Sequence, residues 1–457
     1  MFLFCTLGFL LGMLVPFCEA YSPRVVARIN QATLDYVAQM GRTAFQTALK
    51  IQLPDLLDPK EVYFQSAPVF MLDNDISHFD LKFIPNYGIR LLASGHVNMT
   101  FFITKNLQKL GVGINITADI IVTQSTTGSA LVGLSLCKCI IEDITVIYRE
   151  DGLNEVFNPI DGYIRILLPD KLCSKLFFLI EGLNVYLGTM IGLHPLGPES
   201  QISYSLACLP TITKEHMSLD INITFYLLGK PIVLPPNVSS FSLPQQAGSR
   251  SAMINFVFTE EMFDSVYFLM QKSGSINLDI TSQLNSKNNQ LTTSALGNLI
   301  PEVQRQFPNS MPITLKARIN TSPVPMIHSN KTFLLLRYRV EALAISSNSA
   351  FNLLFSLDMV VELKLNISIS GEKLKANVLF LKDIELEVTS SNVGPFDLSK
   401  VKDLIISVVR KPLNDHLNAL FGLGATLPTI TTVSYIAPEV FMYEGSIVVS
   451  CGLHIQN

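Results

Sequence analysis

This chain of 457 residues has no tryptophan, only seven cysteines and very little charge. Asp, Glu, Lys and Arg together make up 15% of it, against roughly 25% in an average soluble domain. Apolar residues reach 48%, and the mean hydropathy is +0.37. Such a balance is typical of membrane proteins, yet after the first 20 residues no run approaches the ~20 apolar residues that a helical span needs. The net charge is only −4, and no block of lysine or arginine supplies the field that nucleic acid or an anionic membrane demands. Any partner is therefore held by burial rather than by charge. The seven histidines (His78, His96, His194, His216, His328, His416, His454) are scattered, with no zinc-ligand spacing. There is no G-x-S-x-G elbow, phosphate loop or dinucleotide fingerprint. Asp73-Asn74-Asp75 starts like a calcium loop but lacks the following glycine and the distal glutamate, and reads as a solvated turn. No catalytic residue, metal or cofactor is expected.

What is present points to secretion. Residues 2–17 are apolar and lead to Cys18-Glu19-Ala20, a small-residue site suited to signal-peptide cleavage after residue 20. Seven N-glycosylation sequons follow, at Asn98, Asn115, Asn222, Asn237, Asn320, Asn330 and Asn366. Beyond the leader remain Cys137, Cys139, Cys173, Cys208 and Cys451, an odd number and too few to build a disulfide scaffold. A real hydrophobic core must hold this fold.

Strand-type alternation dominates the rest. Val112, Ile114, Ile116, Ala118 and Ile120 share one face, opposite Asn115, Thr117 and Asp119. The same period of two recurs in 97–101, 217–227 and 361–369, and it marks antiparallel sheet with one wet face. In all four strands the sequon asparagine falls on the polar phase. Helical spacing appears in five places: from Ser22-Pro23, read as N-cap and first helical residue, to about Leu49; Leu172–Leu187; a helix capped by Thr259 and ended by Gly274; Ser294–Gln306; and Leu398–Leu420, kinked near Pro412. The proline-rich stretch 230–249 reads as a linker between an N-terminal unit, 21–229, and a C-terminal unit, 250–457, with the same layout: an opening helix, a run of strands, a closing apolar helix. The fold class is α+β. A curled sheet closed by one long helix either packs solid or leaves an apolar slot suited to an acyl chain, and periodicity alone does not choose between them.

The stretch Ser22-Pro23-Arg24-Val25-Val26-Ala27-Arg28-Ile29-Asn30-Gln31, followed by Leu34-Asp35-Tyr36-Val37 and Gly41, closely resembles the opening of the BPI/LBP/PLUNC family of tubular lipid-binding proteins. Phe83-Ile84-Pro85-Asn86-Tyr87-Gly88, the separation of Cys137 from Cys173, the proline-rich connector and 437–445 (APEVFMYEG) extend the likeness over the whole chain beyond the leader, most of all to the long, two-domain branch. The resemblance implies an elongated boomerang of two similar, highly curved antiparallel β-barrels, each with long helices, joined by a central β-sheet. It implies a Cys137–Cys173 disulfide, leaving Cys139, Cys208 and Cys451 unassigned. It also implies an apolar pocket in each barrel. The candidates to line them are Val26, Ile29, Val37, Met40, Leu176, Ile180 and Leu183 in the first half, and Phe263, Val266, Met270, Leu404 and Val408 in the second. The expected ligand is a phospholipid or another long-chain amphiphile, carried or sensed by a secreted, non-catalytic glycoprotein. The alternative is an innate-immunity protein that recognises lipopolysaccharide or a host receptor. Relatives that bind lipopolysaccharide display a lysine cluster at the tip of the first barrel. The matching residues 104–109 offer only Lys105 and Lys109, so any binding of that lipid is expected to be weak.

Overall fold

The computed structural model describes residues 24–50, 52–53, 69–103, 106–149, 157–234, 248–249, 251–281, 291–346 and 350–456. The expected leader, the sequon at Asn237 and the tip lysine Lys105 lie outside them. Strand β1 (Val25–Asn30) leads into helix α1 (Gln31–Ala48). Then come β2 (Gln52–Leu53), the long strands β3 (Val69–Ile84), β4 (Gly88–Ile103), β5 (Asn106–Gln124) and β6 (Ala130–Arg149), and helix α2 (Phe157–Leu187). A one-turn 3-10 helix precedes β7 (Leu193–Pro195), β8 (Ser200–Leu206), β9 (Thr211–Ile212), β10 (His216–Leu227) and β11 (Lys230–Pro231). The second half opens in the same way, with β12 (Ile254–Thr259) leading into α3 (Glu260–Ser273). It continues through β13 (Leu278–Thr281), α4 (Thr293–Gly297), α5 (Pro301–Gln306), β14 (Ile313–Ile319), β15 (Val324–His328), β16 (Lys331–Ile345), β17 (Phe351–Ser370), β18 (Lys373–Phe380) and β19 (Glu385–Ser391). It closes with α6 (Leu398–Gly422), β20 (Ala425–Thr426), β21 (Val433–Tyr443) and β22 (Ser446–Ile455).

Two curled antiparallel half-barrels result, one ordered β2-β3-β4-β5-β6 and the other β13-β14-β16-β17-β18-β20. A central sheet ordered β21-β22-β12-β1-β10-β8-β7 joins them. Its seam is β1 against β12, antiparallel from Val25↔Phe258 to Ile29↔Ile254, so the two halves share a continuous hydrogen-bonded ladder. The alternation read from the sequence places Val112, Ile114, Ile116 and Ala118 in the core at 2% exposure or less.

The opening segment corrects the sequence reading. Residues 25–30 are not the first turns of a helix; they form β1, and α1 starts at Gln31. The reason is tertiary. Val25–Asn30 pairs with β10 on one side and with β12 on the other, and two full ladders outweigh a weak helical propensity in the β-branched pair Val25-Val26. Other boundaries moved as well. The closing helix of the first half begins at Phe157, with Pro169 inside it. The expected helix over 294–306 is two short helices, because Pro301 cannot continue α4 and instead occupies the first turn of α5. Asp73-Asn74-Asp75 lies within β3, not in a turn, and Asn74 donates from Nδ2 to the Gln46 carbonyl at 3.0 Å. The third helix runs as expected from Glu260, with Gly274 at φ +70° ending it; the Thr259 hydroxyl, however, donates to the Arg24 carbonyl rather than capping the helix.

A hollow at the junction of the second barrel and the central sheet

Two hydrophobic cores fill the molecule. The first lies under α1 and α2 and extends beneath the central sheet. The second lies inside the other half-barrel against α6. Helix α3 straddles them: Phe263 and Met270 pack against both cores. Where the cores meet, packing is incomplete. An apolar slot of about 640 Å³, its open mouth included, lies between α3, the last turn of α6 and the end of the β17–β18 ribbon. Phe258, Met262, Phe263, Val266 and Met270 form one wall; Ile367, Leu374 and Ala376 form another; Leu420 and Phe421 close the end of α6. Lys375 supplies the single charged side chain of this lobe. A second lobe shares Leu196, Met270 and Leu420 with the first and opens toward Glu199, Ser200, Ser273 and Ser275.

The surrounding backbone is fixed by specific contacts. Tyr204, fully buried on β8, donates from its hydroxyl to the Thr426 carbonyl at 2.5 Å, tying the central sheet to the strand that follows α6. Burial drives the Tyr204 phenol pKa upward, so the group stays a neutral donor. His416 on α6 lies 2.8 Å from the Ser275 carbonyl, fixing the end of α3 to α6. Gly424 turns the chain between α6 and β20 at φ +70°, and a Cβ there would come within 2.8 Å of Lys375 Cγ and 2.9 Å of the Leu374 carbonyl oxygen. Only glycine lets this turn lie against the lysine stem.

The structure distributes the twelve candidate lining residues unevenly. Phe263, Val266 and Met270 come together on the α3 wall of the slot. Leu404 and Val408 pack against the second core from the middle of α6, away from the slot. In the first half, Leu176 and Ile180 are buried in the core beneath α2, with Val37 packed on it from α1 and Met40 half-buried nearby. Two placements are corrections. Val26 faces the opposite side of the central sheet, in a small cluster with Val257 and Val448, since residues alternate faces along a strand; its strand neighbour Ile29 packs against the first core from β1, not from a helix. Leu183 is 49% exposed: over a helix as long as α2 the inward stripe passes through Leu168, Leu172, Leu176 and Ile180, and Leu183 falls outside it. Among the lining residues missed are Leu196, Phe258, Leu374, Lys375, Phe421 and Gly424. Phe421 carried a signal, as the next step of the spacing Leu413, Leu417, Phe421.

Cys137 and Cys173 form a disulfide that ties β6 to α2, with Cα atoms 5.8 Å apart. Among the described residues Cys139, Cys208 and Cys451 form no disulfide, and burial raises the Cys139 pKa to about 11. Of the described sequons, Asn115, Asn222, Asn320, Asn330 and Asn366 are exposed and Asn98 is half-buried. Among the described residues no cluster of His, Cys, Asp or Glu could hold a metal ion, and no helix is long and apolar enough to cross a membrane.

Comparison with known proteins identifies the architecture. Residues 33–190 match the N-terminal domain, and residues 197–455 the C-terminal domain, of the LBP/BPI/CETP family. The chain is 42% identical to BPI fold-containing family B member 2 of Homo sapiens over 455 residues, covering 99% of each protein. The Mus musculus protein of that name is 40% identical over 458 residues, with the same coverage. The crystal structure of lipopolysaccharide binding protein superposes with a TM-score of 0.61 at 18% identity, covering 95% of this chain and 100% of that one. Two curled half-barrels on a shared central sheet, matched in sequence along nearly the entire chain, place this protein in the LBP/BPI/CETP family.

Proposed function

We propose that this protein is a secreted glycoprotein that binds a phospholipid or another long-chain amphiphile by burial, without catalysis. The observation that carries the reading is the slot at the junction of α3, α6 and the central sheet, whose lining is almost entirely Phe, Met, Leu, Ile, Val and Ala. Each methylene removed from water stabilises by about 0.8 kcal/mol. About ten buried methylenes contribute roughly 8 kcal/mol before ordering costs, enough for binding without a strong ionic contact. The likeness to lipopolysaccharide binding protein supports the fold that makes such a slot. The exposed sequon asparagines, on a chain that opens with a leader-like segment, support secretion.

The test is mass analysis of an organic extract of natively purified, secreted protein, alongside Val266→Trp, which fills the slot. Co-purifying lipid that is reduced in the variant supports the reading. An extract free of lipid, together with failure of apolar dyes to bind, overturns it.

A further inference from the structure

Resting on that reading, we infer that the ligand's head is neutral and hydroxyl-bearing, of the monoacylglycerol class, and that it sits in the second lobe with its chain directed into the slot. The second lobe is the roomier of the two, about 240 Å³ against about 60 Å³ for the slot once its open mouth is left out. A chain therefore enters the slot only as its walls give. Met270, unbranched and shared by both lobes, is the side chain suited to yield.

The second lobe is furnished with hydroxyls. Ser200, Ser273 and Ser275 all line it, whereas the slot lining has one aliphatic hydroxyl, that of Thr426. Ser273 and Ser275 have spent their hydrogens at the end of α3. The Ser273 hydroxyl donates to Ser275 Oγ at 3.0 Å or to the Met270 carbonyl at 3.1 Å, and the Ser275 hydroxyl donates to the same carbonyl at 3.3 Å. Each is left with acceptor capacity only. Ser200, at the start of β8, is different. It is 9% exposed, and among the described residues its hydroxyl has no hydrogen-bond partner. Its oxygen is nonetheless accessible, and the lobe is the space it borders. The turn before it is fixed, because the Ser200 carbonyl accepts from the Leu196 N–H at 2.9 Å and from the Gly197 N–H at 3.3 Å. A nearly buried hydroxyl without a partner carries a desolvation cost that a ligand's hydroxyl would recover.

The class of head follows from these groups. Two acceptors and one uncommitted hydroxyl match a head that both donates and accepts, as the paired hydroxyls of a glycerol ester do. No lysine or arginine lines this lobe, so an anionic head would lose water there without gaining a counter-ion. A phosphocholine head brings no hydrogen-bond donor and would leave the serine oxygens unmatched.

The experiment is displacement of a neutral apolar dye, N-phenyl-naphthylamine, from the full secreted protein by four lauroyl compounds: monolauroylglycerol, methyl laurate, laurate and dilauroyl phosphatidylcholine. Monolauroylglycerol is expected to displace the dye at about five-fold lower concentration than the methyl ester, the effect of one net hydrogen bond, with laurate and the phospholipid no better than the ester. Ser200→Ala removes a hydroxyl that holds nothing else in place, and is expected to abolish this advantage while leaving displacement by methyl laurate unchanged. Ser275→Ala, read in parallel, should reduce it about two-fold. Equal competition by the glycerol and methyl esters, stronger competition by laurate or the phospholipid, or an unaltered preference in both variants overturns this assignment and leaves amphiphile binding standing. Absence of dye binding overturns both.

Discussion

Asn184 on α2 holds both backbone polar groups of Val132 on β6: the Val132 N–H donates to Asn184 Oδ1 at 2.8 Å, and Asn184 Nδ2 donates to the Val132 carbonyl at 2.9 Å. Asn418 on α6 does the same to Val378 on β18, at 2.8 and 3.4 Å. In each half the closing helix thus satisfies a strand residue where the strand has no second neighbour, which also blunts an exposed sheet edge. The equivalence relates the halves more directly than any likeness in their sequences. Replacing either asparagine by alanine leaves two part-buried backbone groups unpaired, and is expected to cost about 1–3 kcal/mol. The sites are far apart, so the double variant should lose the sum in urea unfolding; a loss below 0.5 kcal/mol for either single variant would show that water replaces the amide.

The disulfide closes a segment of 36 residues between β6 and α2. In the chain-entropy account, Cys137→Ser with Cys173→Ser should cost about 4 kcal/mol. Thermal melting with and without reductant checks it, and equal melting temperatures would rule out a stabilising bond.

Tyr204→Phe removes the hydroxyl that holds the Thr426 carbonyl beside the slot. A stability loss of about 1–2 kcal/mol is expected from the unpaired carbonyl. Amphiphile affinity should fall with it, because β20 forms part of the slot wall. Unchanged affinity in a destabilised variant would separate the two roles.

Stability should also depend on pH through the histidines. Burial lowers the pKa values of His194 and His216 below the ordinary 6.5, and Arg28 adds to the effect at His216. The folded protein favours the neutral rings, so the unfolded chain takes up protons first. Stability is full above about pH 6.5 and is lost as pH falls through the depressed values. His216→Asn should flatten the melting temperature between neutral and mildly acid pH; a profile as steep as that of the unaltered protein would exclude His216 as a contributor.

How much was legible beforehand followed the range of the forces involved. Alternation at Val112, Ile114 and Ile116 reports a buried face directly, because a strand exposes its two sides in strict turn. The helix stop at Gly274 was equally local: only a residue free to take φ +70° fits there. By contrast, the opening of α1 was misplaced because two distant strands, β10 and β12, claim residues 25–30, and no local preference announces partners about 190 and 230 positions away.

The order of residues by itself determined which surfaces are apolar, which asparagines face water and that little charge would be available to hold a ligand, since these are properties of each segment and its period. The slot was decided only by the tertiary structure. Leu196, Met270, Leu374 and Phe421 come from four separate segments, and the space among them is what remains after two curled sheets and two helices have packed as closely as their side-chain volumes allow.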